Sequence, residues 1–312
     1  MEAMKVEAID FSFLGVILRL TAPILLATIG ALYADRAGVA NVALEAYMLF
    51  GAFFAVVGSF FMGSSLIGVL FAILIGMLIS SFFSLLTLKL EGNEIIVGMA
   101  LIFLSMGFTK FLLNLIFNTS GSFISPEIVG LPKIDIPFLS SIPIIGELFK
   151  GQTLIVYFAF LSVLATHIII SKTSFGMRII ACGENPEAAS TIGIDVNKTR
   201  FIANLITGGL CGLAGAQISL GFLNMFSENM TAGQGFIALA AVIFAKAIPV
   251  RVLFICLIFG TANAISNQLQ TADMPTEIVL MTPYLIVVVA LCFNFSRFSF
   301  RKKMKSMVST DA

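Results

Sequence analysis

The side chains that could act chemically fall into two groups. The first lies in one polar stretch, Ser174 to Arg200, which reads SFGMRIIACGENPEAASTIGIDVNKTR. Within it, Asn185 can cap free backbone N–H groups, Pro186 fits a first helical position, and Glu187 favours the positive end of the helix dipole. Gly193 suits the position just past a helix end. The spacing predicts a short capped helix that also carries Ala188 and Ala189. Two turns are not stable alone, so this helix must pack on something, and another protein is the obvious candidate. The second group consists of polar residues set in apolar runs: Asn41, Glu45, Tyr47, Asn204, Gln217, Asn263, Asn267 and Tyr284. Asn41 and Glu45 are four apart and share a helix face, with Tyr47 close by. Two readings stand for them: they face an internal cavity, or Glu45 lies near enough to an interface to reach water or pair with Arg36. The others read either as cavity-facing groups or as hydrogen-bonding glue between helices.

Much chemistry is excluded. There is no GxxxxGK[ST] phosphate loop, so this chain is not expected to hydrolyse ATP itself. The single histidine, His167, reads as a packed or interfacial residue. Cys182, Cys211, Cys256 and Cys292 are scattered without a CxxC pair and read as reduced structural cysteines. No nucleophile–base pair or metal-ligand cluster is visible, so the sequence does not read as an enzyme. A net charge of +1 gives no sign of a nucleic-acid partner.

The elements that position these residues follow from composition. Of 312 residues, 59% are hydrophobic and only 11% charged, with a mean hydropathy of +1.05. Several apolar runs reach the ~20 residues that a helix needs to cross a bilayer. The fold class is therefore all-α and polytopic, embedded in a membrane. Nine apolar segments are expected, at roughly 11–33, 41–62, 65–88, 95–117, 152–171, 201–222, 235–249, 251–269 and 277–296. The first could be a surface helix up to Arg19 followed by a short span from Leu20. The seventh is short enough to be broken or tilted. The start, MEAMKVEAID, lacks the basic character of a cleaved signal peptide, so the first span is expected to be retained. Arg19 and Lys110 lie within apolar runs and could snorkel. Gly208, Gly212 and Ala216 make a small-residue face for close helix packing.

Basic residues set the orientation. Thirteen of them, from Arg36 and Lys89 to the Arg301–Lys305 tail, fall on one face, against Lys5, Lys133 and Lys150 on the other. The first face is expected to be cytoplasmic. That places loop 172–200 and the basic tail 297–312 inside, and the N-terminus and the proline-bearing loop 118–151 outside.

The sequence also repeats. GVANVALEAYMLFGA (Gly38–Ala52) resembles GQGFIALAAVIFAKA (Gly233–Ala247). Further on, Val69-Leu70-Phe71 matches Val252-Leu253-Phe254, and Glu94-Ile95 falls on Glu277-Ile278 at the same offset. The matched segments are expected to run in opposite directions, giving one transmembrane domain with halves at roughly 20–117 and 201–296. Inverted repeats of this kind mark transporters, with the path between the halves. Asn41, Glu45, Tyr47, Asn204, Asn263 and Asn267 are the candidates for lining it.

Three motifs carry a family resemblance. ALYADRAGVANVALEAYMLFGAFFA (Ala31–Ala55) resembles a "SERSGVxNxGLEGxMLxGAF" stretch, GNEIIVGMALIFL (Gly92–Leu104) an "NEII" segment, and the polar loop a "GENPxAAxxxGI" pattern. Together they are similar to the permeases of ABC importers for branched-chain amino acids, simple sugars and nucleosides. The loop also fits the EAA-x3-G pattern of ABC coupling loops, and the nucleoside branch is the most similar, although Ala43-Leu44-Glu45-Ala46 replaces its usual Gly-Leu-Glu-Gly.

The resemblance implies a nucleoside importer in a bacterial cytoplasmic membrane. It implies an external or periplasmic substrate-binding lipoprotein, a second and different permease chain, and a cytoplasmic ATPase that binds ATP and Mg. This chain itself would hold no cofactor. Asn185, Pro186, Glu187, Ala188, Ala189 and Gly193 would form the ATPase-coupling helix. The alternatives are the same machinery for branched-chain amino acids or monosaccharides, an ion-coupled transporter working alone with Glu45 as its ion site, or a scaffold without transport.

Overall fold

The computed structural model describes residues 11–134 and 151–269. The long apolar segments within them are helices, because a chain in hydrocarbon must satisfy its backbone N–H and C=O groups from within the segment. α1 spans Phe11–Arg36, α2 Leu44–Met62, α3 Ser65–Ser84 and α4 Glu94–Phe117. α3 continues into a π-helical turn, Leu85–Lys89. Strands β1 (Ser122–Phe123), β2 (Lys133–Ile134) and β3 (Gln152–Thr153) are two residues each. α5 (Leu154–Lys172) leads through α6 (Ser174–Glu184) and α7 (Pro186–Thr191) to α8 (Val196–Ala216). α8 runs into a second π-helical segment, Gln217–Leu223. β4 (Phe226–Ser227), α9 (Gln234–Ala245) and α10 (Pro249–Leu269) follow. β1 pairs antiparallel with β4, and β2 with β3.

Seven of these helices are long and apolar enough to cross a membrane, so the chain is a multi-pass membrane protein. Eight of the nine expected segments are helices. The ninth, 277–296, lies outside the described residues, as do the tail 297–312, residues 135–150 of the long loop, Tyr284, Cys292 and the Glu277-Ile278 end of the repeat. α9, the short seventh segment, has 12 residues. One alternative for the first segment is corrected: α1 runs unbroken through Arg19, and no surface helix stops there. Pro23 sits inside it and removes one backbone donor, a loss that a helix packed among others tolerates.

α1, α2 and α8 form the buried centre. α8 lies against α3 and α2 at backbone distance. A Cβ at Gly208 would overlap the Gly76 carbonyl, and one at Gly212 would overlap that of Ala72. A Cβ at Gly51 would sit 2.5 Å from the Gly212 oxygen. Ala216 is fully buried on the same helix, so the small residues of α8 do serve close packing. α3, α4 and α5 turn large side chains outward, among them Leu74, Phe103 and Leu161. Such faces suit lipid or a second membrane chain rather than water.

Candidate functional site

The polar loop folds as its residue types require. Asn185 ends α6 and begins α7, and its side-chain oxygen accepts from Ala188 N at 3.0 Å. Pro186 takes the first helical position and Glu187 the first turn. Gly193 has φ +85°, with N–H to Ser190 O at 3.0 Å, while Ile194 N donates to Ala189 O at 3.1 Å. These are the two crossed bonds of a Schellman ending. Ala189 faces inward, whereas Glu187 and Ala188 are exposed, and Ile192 is 74% exposed. The loop therefore presents a capped, partly apolar knob that nothing among the described residues covers.

This knob is strapped to the turn between α1 and α2. Gly183, at the end of α6, packs so closely that a Cβ there would overlap the Arg36 carbonyl. Arg200 Nε donates to Ala37 O at 3.0 Å. Glu94 Oε2 accepts from Ala40 N at 2.6 Å, while Asn93 caps α4 by accepting from Ile95 N and Ile96 N. Arg36 Nε donates to Ala247 O at 2.9 Å, just past α9. Segment 37–43, with Arg36 just before it, is thus a hub joined to α4, α6, α8 and the end of α9. The three sequence motifs meet there.

Glu45 is buried, at 1% exposure, and does not pair with Arg36, which bonds elsewhere. Its carboxylate accepts from Thr231 Oγ1 at 2.5 Å, Gly233 N at 2.9 Å and Gly235 N at 2.7 Å. It lies in the first turn of α2 and binds the first N–H groups of α9, so the positive ends of two helices converge on one carboxylate. A Cβ at Gly235 would sit 2.6 Å from the Glu45 Cα, so only glycine permits the approach.

Asn41, Tyr47 and Asn204 form a second buried cluster. Asn41 Nδ2 donates to Asn204 Oδ1 at 3.2 Å, and Tyr47 OH donates to Asn41 Oδ1 at 3.2 Å. Asn204 Nδ2 donates to Ser84 Oγ at 2.9 Å, and Ser80 Oγ donates to the Asn204 carbonyl. The network ties α2, α3 and α8 together.

Asn263 and Asn267 lie apart from these, on the wall of a 430 Å³ cavity bounded by α1, the Gln217–Leu223 segment, α9 and α10. Arg19, Gln217, Phe222 and Gln234 share that wall; Asn41, Glu45, Tyr47 and Asn204 do not. Arg19 donates to Gly151 O at 3.1 Å and reaches Gln152 Oε1 at 3.5 Å, so it is held rather than snorkelling. Gln217 could be flagged in the sequence as a polar residue in an apolar run. Gln234 carried no such signal, because it sits at a segment boundary.

At the opposite end from the hub, Lys110 pairs with Glu228 at 3.2 Å, and Glu228 Oε1 accepts from Gly121 N at 2.8 Å. The Gly121 N–H, with Lys110 beside it, holds the Glu228 carboxyl below its ordinary value. This clamp sits beside the β1–β4 pair. His167 is exposed on α5.

The chain belongs to the family described as "Branched-chain amino acid transport system / permease component", which matches residues 13–291. It is 34% identical over 283 residues to the guanosine ABC transporter permease protein NupQ of Bacillus subtilis, covering 86% of this chain and 88% of that one. It is equally identical over 280 residues to the nucleoside ABC transporter permease protein NupC of Lactococcus lactis, covering 86% and 87%. An inward-facing structure of an ABC transporter described as of metal-chelate type superposes with a TM-score of 0.51 at 15% identity, covering 92% of this chain and 89% of that one. That last likeness concerns the fold alone.

Proposed function

We propose that this chain is the permease subunit of an ATP-driven ABC importer that carries nucleosides across a bacterial cytoplasmic membrane. The observation that carries the substrate class is that, of three relatives at 34% identity, two are named for guanosine and nucleosides and cover more of this chain than the third, which is named for glucose. The cavity supports it. Its described lining holds amides, a serine hydroxyl, apolar groups and a single cation already bonded to protein oxygens, with no carboxylate for an ammonium group. A neutral polar solute fits such a wall better than a zwitterionic amino acid.

In this reading an external lipoprotein delivers the solute to the outer face, near loop 118–151. A second, different permease chain completes the path against the exposed apolar helices. The ATPase, with its ATP and Mg, docks on Asn185–Gly193 from the cytoplasm. Movement of α6 and α7 then reaches α2 and α9 through Arg36 and segment 37–43, which are packed and bonded to both sides. The N-terminus is external and the C-terminus cytoplasmic.

The test is uptake of labelled guanosine, adenosine, uridine and cytidine by cells with and without this chain. Gene-dependent uptake, competed by unlabelled nucleosides, is expected. Competition by monosaccharides or branched-chain amino acids in place of nucleosides would overturn the substrate class and leave the permease assignment standing.

A further inference from the structure

The cavity is lined by two amide side chains that each keep one buried polar atom without a partner. Gln217 is 1% exposed, and its Oε1 accepts from Thr153 Oγ1 at 2.8 Å. That bond fixes the carboxamide and leaves Nε2 buried without a partner. Gln234 Oε1 is likewise buried without a partner. Both residues line the same cavity. An unpaired buried polar atom is costly, and here a donor and an acceptor are left open toward one space. The backbone is shaped around the first of them. Gln217 opens a π-helical segment, an element common at functional sites. A Cβ at Gly221 would overlap Gln217 Oε1, so glycine there leaves room for the folded-back amide.

We infer that this cavity is a nucleoside-binding site within the permease itself, in which Gln217 Nε2 and Gln234 Oε1 pair with the polar edge of the base. The inference rests on the nucleoside reading above. Each common base presents an acceptor next to an N–H donor, the complement of this pair. The Phe222 ring gives a face on which any base can stack. Asn263 and Asn267, one turn apart on α10, offer amides to ribose hydroxyls. A cavity of 430 Å³ is of the size that small-molecule sites have. Because the paired groups are common to all bases, the site separates nucleosides from free sugars more sharply than one nucleoside from another.

The test is equilibrium binding of tritiated guanosine to the purified permease–ATPase complex in lipid nanodiscs, without the binding protein. Saturable binding is expected, with free ribose failing to compete. Gln234→Met, which breaks no bond seen in the fold, should weaken binding about tenfold or more at an unchanged melting temperature. Gln217→Met should do the same, with a loss of stability from the abandoned Thr153 hydroxyl; should it fail to fold, Gln234→Met decides alone. The inference is overturned by absent saturable binding, by ribose competing as well as guanosine, or by wild-type affinity in Gln234→Met. Nucleoside uptake by the complete transporter separates the two levels. Uptake without binding removes only this site, whereas loss of nucleoside specificity in uptake removes the function and the site together.

Discussion

Single residues here carry unequal weight, and Glu45 carries the most. Its buried carboxylate closes three bonds to the start of α9. Replacing it by Ala leaves the Thr231 hydroxyl and the Gly235 N–H buried and unpaired, each at about 1–3 kcal/mol, and strips the Gly233 N–H of its partner. Glu45→Ala is therefore expected to yield little folded protein, and Glu45→Gln protein of reduced melting temperature, both measurable by thermal unfolding in detergent. An ion-coupling role would give the opposite pattern, in which Glu45→Gln folds normally and only transport is lost. Glu228 sets a pH dependence at the other end. Its folded pKa lies below the ordinary 4.5, so its contribution is complete above that value and is lost as pH falls through the folded pKa. The stability difference between wild type and Glu228→Gln should shrink on acidification below pH 4.5 and stay flat above about pH 6.

At the scale of elements, the contact of α8 with α3 and α2 is made by glycines that meet opposing carbonyls. Gly212→Val must push α8 away from α3, and overpacking of this kind costs about 1–3 kcal/mol or more. A fall in melting temperature and in yield is expected, whereas Gly107→Ala on α4, with open space at its Cβ, should be neutral. The α6–α7 loop responds differently. Asn185→Ala removes one cap and weakens α7 by about 1 kcal/mol, without touching the packed centre. It should leave folding intact and lower ATP-dependent uptake.

For the molecule as a whole, the order of helices was legible because long apolar runs and their polar breaks are set by the bilayer. The fold of the Asn185–Gly193 loop was legible for a local reason: Asn185, Pro186 and Gly193 each satisfy a requirement of the backbone within a few residues. The roles of Glu45 and Asn41 were not legible, because their partners lie in α9 and α8, far along the chain. Read alone, Glu45 was a charge in an apolar run, suited to a cavity or an interface; the structure makes it a bridge between helix ends. Gln234 was hidden for the same reason, since its cavity is assembled from α1, α9 and α10 together with the second π-helical segment. The hub at 37–43 explains why three separated motifs belong together: each supplies one side of a single junction.

The central claim is that ATP hydrolysis by a partner drives nucleoside movement through this chain, by way of the α6–α7 loop. The most direct measurement is labelled guanosine uptake in cells carrying wild type or the Glu187→Lys/Gly193→Pro double variant, with membrane insertion of both verified. Each is assayed once under ATP depletion and once with the proton gradient collapsed and ATP maintained. Gly193 at φ +85° cannot accept proline, so the double variant alters both the charge and the end of the helix. The account predicts that wild-type uptake fails without ATP and survives loss of the gradient, and that the double variant inserts normally but does not transport. Uptake that follows the gradient, or a double variant that transports like wild type, would contradict it.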